Sequence, residues 1–357
     1  MQLKTLAAVG LALSLLGGAA QPAAAQTQQS DVTIKVANYG GQFTATQRKY
    51  AGDLFMRRTG AKIQYIDANP ADHLNKMIAS RGREPPYDVT YLDLDVQANA
   101  IKAGVLEKFD ASKVPSYAFV YDEAKNKQGY GPGMMIYTIG IAYNPQKFKE
   151  AGIPAPTSWA DLWDPRLAGK VMLPDLSAVQ GRMFLIAASR LNGGNEGQLE
   201  KGIEKIAQLK YHSIYTSTVQ LEALFPTGDI WAAPMADGRA WGMIDKGASL
   251  GFVRPKEGAL VGMGMLDVAK GSKNVKEAYE YIDAVLDAYS QLGQAYEIPY
   301  GPTNSLLVPV LKGYPNIAKK FTASLTELQQ AYIADWTTYN ANAEKALELW
   351  NRQVVRK

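Results

Sequence analysis

The stretch Asp31–Phe43, DVTIKVANYGGQF, sets the reading of the chain. Its first eight residues carry Val and Ile in alternation, the period of a strand with one buried face. Gly40-Gly41 breaks the strand. An amphipathic helix follows from Phe43 to Thr59, with Phe43, Tyr50, Leu54 and Phe55 on one face, and Gly60 ends it. A strand at Ala61–Ile66, a helix from Pro70 to about Arg81, a strand at Tyr87–Leu92 and a helix from Asp95 to Ala103 complete three strand–helix units. Such units build a parallel sheet with helices on its faces, and ligands sit outside the carboxyl ends of its strands. Asn38–Gln42, Asp67–Pro70 and Leu92–Asp95 occupy that edge.

Downstream, Gly129–Asn144 (GYGPGMMIYTIGIAYN) is long, apolar and broken by glycine, as expected of a strand passing from one lobe into another. The α/β alternation then restarts: strands at Lys170–Pro174, Asp229–Pro234 and Leu250–Arg254, with helices at Val179–Leu191, Glu196–Leu209 and Ala236–Lys246. Leu260–Val268 reads as a second crossing strand, Val275–Ala288 as a helix, Pro299–Asn304 as a turn and Asn340–Asn351 as a closing helix. The fold expected is α/β, with two discontinuous lobes joined by a multi-strand hinge. Lobe 1 takes residues 26–137 plus 264–302, and lobe 2 takes 138–263 plus 303–357. The chain crosses at about 137, 264 and 303. A cleft between hinged lobes is a natural ligand site.

The N-terminus speaks to compartment. Lys4 precedes an apolar run, Leu6–Leu16, and small residues follow at Ala23-Ala24-Ala25. This is the pattern of a secretory signal peptide, residues 1–25, cleaved after about Ala25. The run is too short for a span, which takes about 20 apolar residues. Of 357 residues, 332 would remain, enough for two domains. Composition is that of an ordinary globular protein, and the net charge of +4 is spread thinly, with no basic run for nucleic acid and no membrane-inserting segment. There is no Cys and there are only two histidines, so thiolate chemistry and His-built zinc sites are excluded. Walker, Gly-x-Ser-x-Gly and HExxH motifs are absent, and no cofactor is expected.

An ordered set of segments then carries a resemblance: Asn38-Tyr39-Gly40-Gly41, Tyr87-Asp88-Val89, Ala103-Gly104-Val105-Leu106, Ile139–Asn144, Pro156–Trp163, Leu167–Val171, Pro255-Lys256-Glu257-Gly258 and Gly301-Pro302-Thr303-Asn304. In this order and spacing the chain resembles the spermidine/putrescine-type extracellular solute-binding proteins of ABC importers, over nearly all of its mature length. The resemblance implies the type II periplasmic-binding fold, closing like a Venus flytrap. It implies a periplasmic protein, not an enzyme, that captures a small solute as a monomer and passes it to a membrane permease with its ATPase.

Polyamine binders of this kind pair ammonium groups with carboxylates and sandwich the methylene chain between aromatics. Here Tyr39 keeps the first aromatic and Tyr300 the last, but the acidic pair falls on Leu176 and Val179, one tryptophan on Ala236, and the Trp-x-Asp on Gly262-Met263-Gly264. Asp93 and Asp95 replace small hydroxyl residues and Tyr. Ser177, Gln180 and Arg182 stand at one expected helix start and Arg239 at another, where free N–H groups and a guanidinium suit anions. The candidate ligand set is Tyr39, Gln42, Asp93, Asp95, Asp175, Ser177, Gln180, Arg182, Asp237, Arg239 and Tyr300. An anionic or zwitterionic organic solute is expected, with a polyamine or ferric ion as alternatives. Ferric binding would call on Tyr211, Tyr215, Tyr296 and Tyr300, although no Tyr-Tyr pair exists. A carboxylate-based hydrolase would use Asp93 with Asp95 or Asp237. Competing structural roles are ion pairs for Arg182 and Arg239 and helix caps for Asp93, Asp95 and Asp175. Trp159 and Trp163 read as packing residues, Met134, Met135, Met263 and Met265 as core fillers, and His73 as a residue of a surface-like helix.

Overall fold

The computed structural model describes residues 30–321 and 331–356. The expected leader and its cleavage point lie outside these residues. Strand β1 (Thr33–Asn38) is the centre of a parallel trio, pairing with β2 (Lys62–Asp67) on one side and β3 (Val89–Asp93) on the other. Gly40 and Gly41, with φ of 90° and 59°, turn the chain at the end of β1 in a conformation a side chain would strain. The helix that follows is continuous to Thr59 but contains a π-turn at Arg48–Gly52, and Gly60 ends it at a left-handed φ of 71°.

Strand β4 (Gly133–Tyr143) runs the length of one nine-stranded sheet and pairs differently at its two ends. The later strands are β5 (Met172–Pro174), β6 (Ser213–Tyr215), β7 (Ala232–Ala236), β8 (Gly251–Val253), β9 (Leu260–Val268), β10 (Gly301–Pro302) and β11 (Tyr332–Ile333). The near end of β4 pairs antiparallel with β9, which pairs antiparallel with β3. Its far end, Ile139–Tyr143, pairs with β7 and β8. Strands β5 and β6 are parallel and join β7 through a Val171–Ala232 bridge.

The side chains separate into two main cores along these strands. Ile34, Val36, Phe55, Tyr91, Ile136, Val261 and Tyr281 belong to the first. Tyr137, Ile139, Trp159, Phe184, Leu260 and Trp350 belong to the second. Core membership changes between 136 and 137 on β4 and between 260 and 261 on β9.

The third expected crossing is displaced. Asn304 bridges Val120, and Leu307, Leu311 and Phe321 pack with Ala295, so the chain after 303 stays beside lobe 1. The chain next meets lobe 2 at β11, which pairs in parallel with β9, and at the helix Trp336–Trp350, whose Trp336, Tyr339 and Trp350 enter the second core. Leu307 and Leu311 seat this segment where their hydrophobic surface is covered, and a turn motif alone does not reveal which lobe does the covering.

Two elements missing from the sequence reading are β6 and the helix Thr218–Thr227. The latter opens with a capping box, Ser217 and Gln220, a signal present in the sequence. Trp159 is buried in the second core, and Met134, Met135, Met263 and Met265 in the first. His73 is a correction. It is fully buried, its ring nitrogens 3.0 Å from the Tyr87 hydroxyl and 3.0 Å from the Asn38 carbonyl. The latter contact pins the end of β1. Among the described residues, no helix is long and apolar enough to cross a membrane.

Candidate functional site

The carboxyl ends of β1 and β3 bring Tyr39 and Asp93 together. The Tyr39 hydroxyl donates to the Asp93 carboxylate at 3.2 Å. Asp93 holds the N-cap position of the helix Leu94–Ala103, yet its side chain caps nothing. Burial, then the charge of Asp95, pushes its carboxyl up to about 7, opposed by Arg182 and the Tyr39 hydroxyl. Burial and the Asp93 charge in turn push the Tyr39 phenol well above its ordinary range.

Strand β9 lies beside this pair and supplies space. Asp93 sits opposite Gly264, and Tyr137 of β4 sits opposite Gly262. A Cβ at Gly262 would come within 2.2 Å of the Tyr137 ring. At Gly264 one would come within 2.6 Å of the Met135 methyl and 3.1 Å of the Tyr39 hydroxyl. Both glycines let aromatic rings lie against bare backbone.

Tyr300, just before β10, stands 6.1 Å from Tyr137 between ring centroids. Its ring also rests on Gly238, where a Cβ would approach to 2.8 Å. Tyr39, Tyr137 and Tyr300 thus gather around one half-buried acid. Burial raises the Tyr300 phenol first of all, the nearby Arg239 charge opposes this, and Asp237 and Asp93 add to it. Arg239 itself is exposed, in the first turn of the helix Asp237–Asp245.

The remaining sequence candidates are engaged elsewhere. Asp95 is 4% exposed and forms a 2.7 Å ion pair with Arg182, which belongs to the helix Val179–Leu191 of lobe 2. Arg182 also donates to the carbonyls of Leu176 at 3.0 Å and Ser177 at 2.9 Å. Asp237 is fully buried and accepts from the Thr138 N–H and hydroxyl, the Gly238 N–H and Arg254. Three of these contacts fall on Oδ2 and one on Oδ1, so most of its acceptor capacity is engaged. Burial still pushes its carboxyl up to about 6, with Arg254 the chief opposing influence.

Asp175 accepts from the Ser177 N–H and so shapes its own loop. Ser177 is exposed, Gln180 half-buried, and Gln42 donates to the Glu297 carbonyl at the rim. Tyr211 and Tyr215 donate to the carbonyls of Val354 and Pro234, and Tyr296 is exposed, so the four tyrosines of the ferric alternative do not converge. The groups absent from the sequence candidates are Tyr137 and Arg254. Tyr137 is the one aromatic at the middle of a hinge strand flanked by apolar residues, a signal that was available. Arg254 becomes meaningful only beside Thr138 and Asp237.

A cavity of about 680 Å³ opens on the outer flank of lobe 2, lined by Lys147, Phe225, Gly228 and Lys246 among others. None of its lining side chains is among the buried polar groups that lack a partner.

Comparison with known proteins identifies the family. A profile of the family described as bacterial extracellular solute-binding protein matches residues 50–319. Spermidine/putrescine-binding periplasmic protein 1 of Haemophilus influenzae is 24% identical over 240 residues, 66% of this chain and 66% of the relative. The gamma-aminobutyric acid-binding protein of Pseudomonas aeruginosa is 22% identical over 351 residues, 94% of this chain and 95% of that one. The crystal structure of an ABC transporter protein from Clostridium perfringens superposes with a TM-score of 0.77 at 24% identity, covering 90% of this chain and 99% of that chain.

Proposed function

Because this chain belongs to the bacterial extracellular solute-binding protein family, we propose that it is the periplasmic capture component of an ABC importer and that its solute is a small zwitterion. The ammonium end is taken by Asp93 inside the box of Tyr39, Tyr137 and Tyr300. The anionic end lies toward Arg239 and the start of its helix. The observation that carries this reading is Asp93, a half-buried carboxylate with a tyrosine partner and no cation of its own. An ammonium beside it would restore the charged form, and the flanking rings add cation–π attraction. The exposed Arg239 guanidinium supplies a planar fork for a carboxylate.

Support also comes from relatives whose names differ in cargo, one a polyamine binder and one a gamma-aminobutyric acid binder. The second aligns over nearly the full length. A polyamine needs an acidic partner at each ammonium end, and Asp95 and Asp237 are already paired with Arg182 and Arg254. The protein works without turnover, as a monomer, after removal of residues 1–25, and presents its solute to a permease with a separate ATPase. Mass spectrometry of the exported protein should show a start just after Ala25.

Calorimetric titration with 4-aminobutyrate, putrescine and succinate tests the cargo. The zwitterion should bind most tightly and be recovered unchanged. Tight putrescine binding with no response to 4-aminobutyrate would overturn the proposal.

A further inference from the structure

The Asp95–Arg182 pair joins elements from opposite lobes. Asp95 lies in the first turn of the Leu94–Ala103 helix, whose Val96 and Ala100 pack in lobe 1. Arg182 rises from the Val179–Leu191 helix, whose Met183 and Phe184 lie in the core of lobe 2. Asn340 of the C-terminal helix donates to the Asp95 carbonyl at 3.0 Å, a second tie at the same point.

The side chains are only 6% and 19% exposed, so the pair sits largely out of water. Each partner also retains an unused valence. Asp95 Oδ1 and Arg182 Nε are buried without a hydrogen-bond partner. Native proteins rarely leave such atoms unmatched, and a bound solute is one way to complete them.

The charge balance around Asp93 gives the pair its meaning. Two carboxylates, Asp93 and Asp95, share one guanidinium, Arg182. The 2.7 Å contact assigns that guanidinium to Asp95. What remains is one uncompensated acid. Were Arg182 absent, Asp95 would be a second acid on the same helix start. Were Asp95 absent, Arg182 would be a free cation in the cleft.

We infer that the Asp95–Arg182 ion pair determines specificity: by neutralising each other across the cleft, the two side chains leave room for one ammonium group and reject diamines and dicarboxylates alike. Mutual discharge is a form of selection against wrong partners, because a ligand of the wrong charge count leaves a charge buried and unmatched. The inference builds on the cleft reading proposed above, but it concerns how many charges are admitted, not which zwitterion is carried.

The test titrates 4-aminobutyrate, putrescine and succinate into the full mature protein and its variants. Arg182→Gln should raise putrescine affinity relative to wild type by at least about tenfold, since Asp95 then becomes a second ammonium acceptor. Asp95→Asn should raise succinate affinity by a similar factor, since Arg182 is released. The double variant should return to the wild-type ranking, because the site again holds one net charge. Arg182→Lys, which keeps the charge, should not gain putrescine binding. Arg182→Met provides the same loss of charge should Arg182→Gln fail to fold.

Both gains are required, and the absence of either overturns the inference. If wild type ignores 4-aminobutyrate while both gains appear, the zwitterion reading fails and charge selection stands.

Discussion

At Asp93 the local chemistry makes two measurable claims. Its ordinary carboxyl pKa is near 3.9, and burial with the Asp95 charge lifts it to about 7 in the folded protein. Between about pH 4 and 7 the folded state holds a proton that the unfolded chain has lost, so this group makes stability fall as pH rises through that window. Asp237 and Asp267, each pushed up to about 6 chiefly by burial, act in the same direction over a shorter range. Melting temperature should therefore drop in Asp93→Asn more at pH 5 than at pH 7.5, or even rise at the higher pH, because the substitution removes a charge that is poorly solvated in the folded state. Solute binding reverses the sign. An ammonium favours the ionised carboxylate, so affinity should climb with pH up to about 7 and binding at pH 6 should release close to one proton. Identical calorimetric enthalpies in buffers of different ionisation heat would sink that prediction. Asp93→Asn should weaken 4-aminobutyrate binding by about 2 kcal/mol or more, the range for loss of a charged hydrogen-bonded partner. In the sequence, Asp93 and Asp95 are equivalent as an acidic pair at a helix start. The fold separates them: Asp93 turns to Tyr39 and Asp95 to Arg182, two partners 54 and 87 positions away.

Strand β9 shows how an element can be shaped by what it lacks. Gly262 and Gly264 stand where the polyamine binders that the chain resembles carry a Trp-x-Asp. The vacated space is filled by Tyr137 and by Tyr39 with Met135. The two glycines should differ on substitution. A methyl at 262 would meet the Tyr137 ring at 2.2 Å, a stiff neighbour, whereas at 264 the nearest atom is the flexible end of Met135 at 2.6 Å. Gly262→Ala should thus lose roughly 1–3 kcal/mol of stability as overpacking does, and Gly264→Ala less. Gly264→Ala should nevertheless disturb binding, because the new methyl also presses the Tyr39 hydroxyl away from Asp93. Urea unfolding ranks the first pair of effects, and equal midpoints for the two variants would contradict the packing argument. The elements themselves were largely legible. Helix Val179–Leu191 and strand Leu260–Val268 have the expected limits, since each runs between clear signals. Boundaries elsewhere moved by one to four residues, and the π-turn inside the first helix has no sequence mark.

Across the whole molecule, the lobes are held by β4, β9, the β11 pairing and the Asp95–Arg182 contact. Closure of this kind is a population, and removing one contact shifts it. Small-angle scattering of the solute-free protein should give a radius of gyration near the roughly 20 Å of a compact chain of this size, and a larger value for Asp95→Asn. Because the pair is mostly buried, moderate salt should not mimic that expansion. An unchanged radius in the variant would show that the remaining strands hold closure alone. The α/β class, the two long strands β4 and β9 and the lack of thiols were set by local pattern and composition, because periodicity, glycine breaks and residue inventory need no tertiary partner. Which residues after 303 stay with lobe 1, which aspartate keeps a free charge and which arginine faces a partner were decided only on folding. These depend on contacts between positions distant in the chain, and burial turns each such contact into a choice between a matched and an unmatched charge.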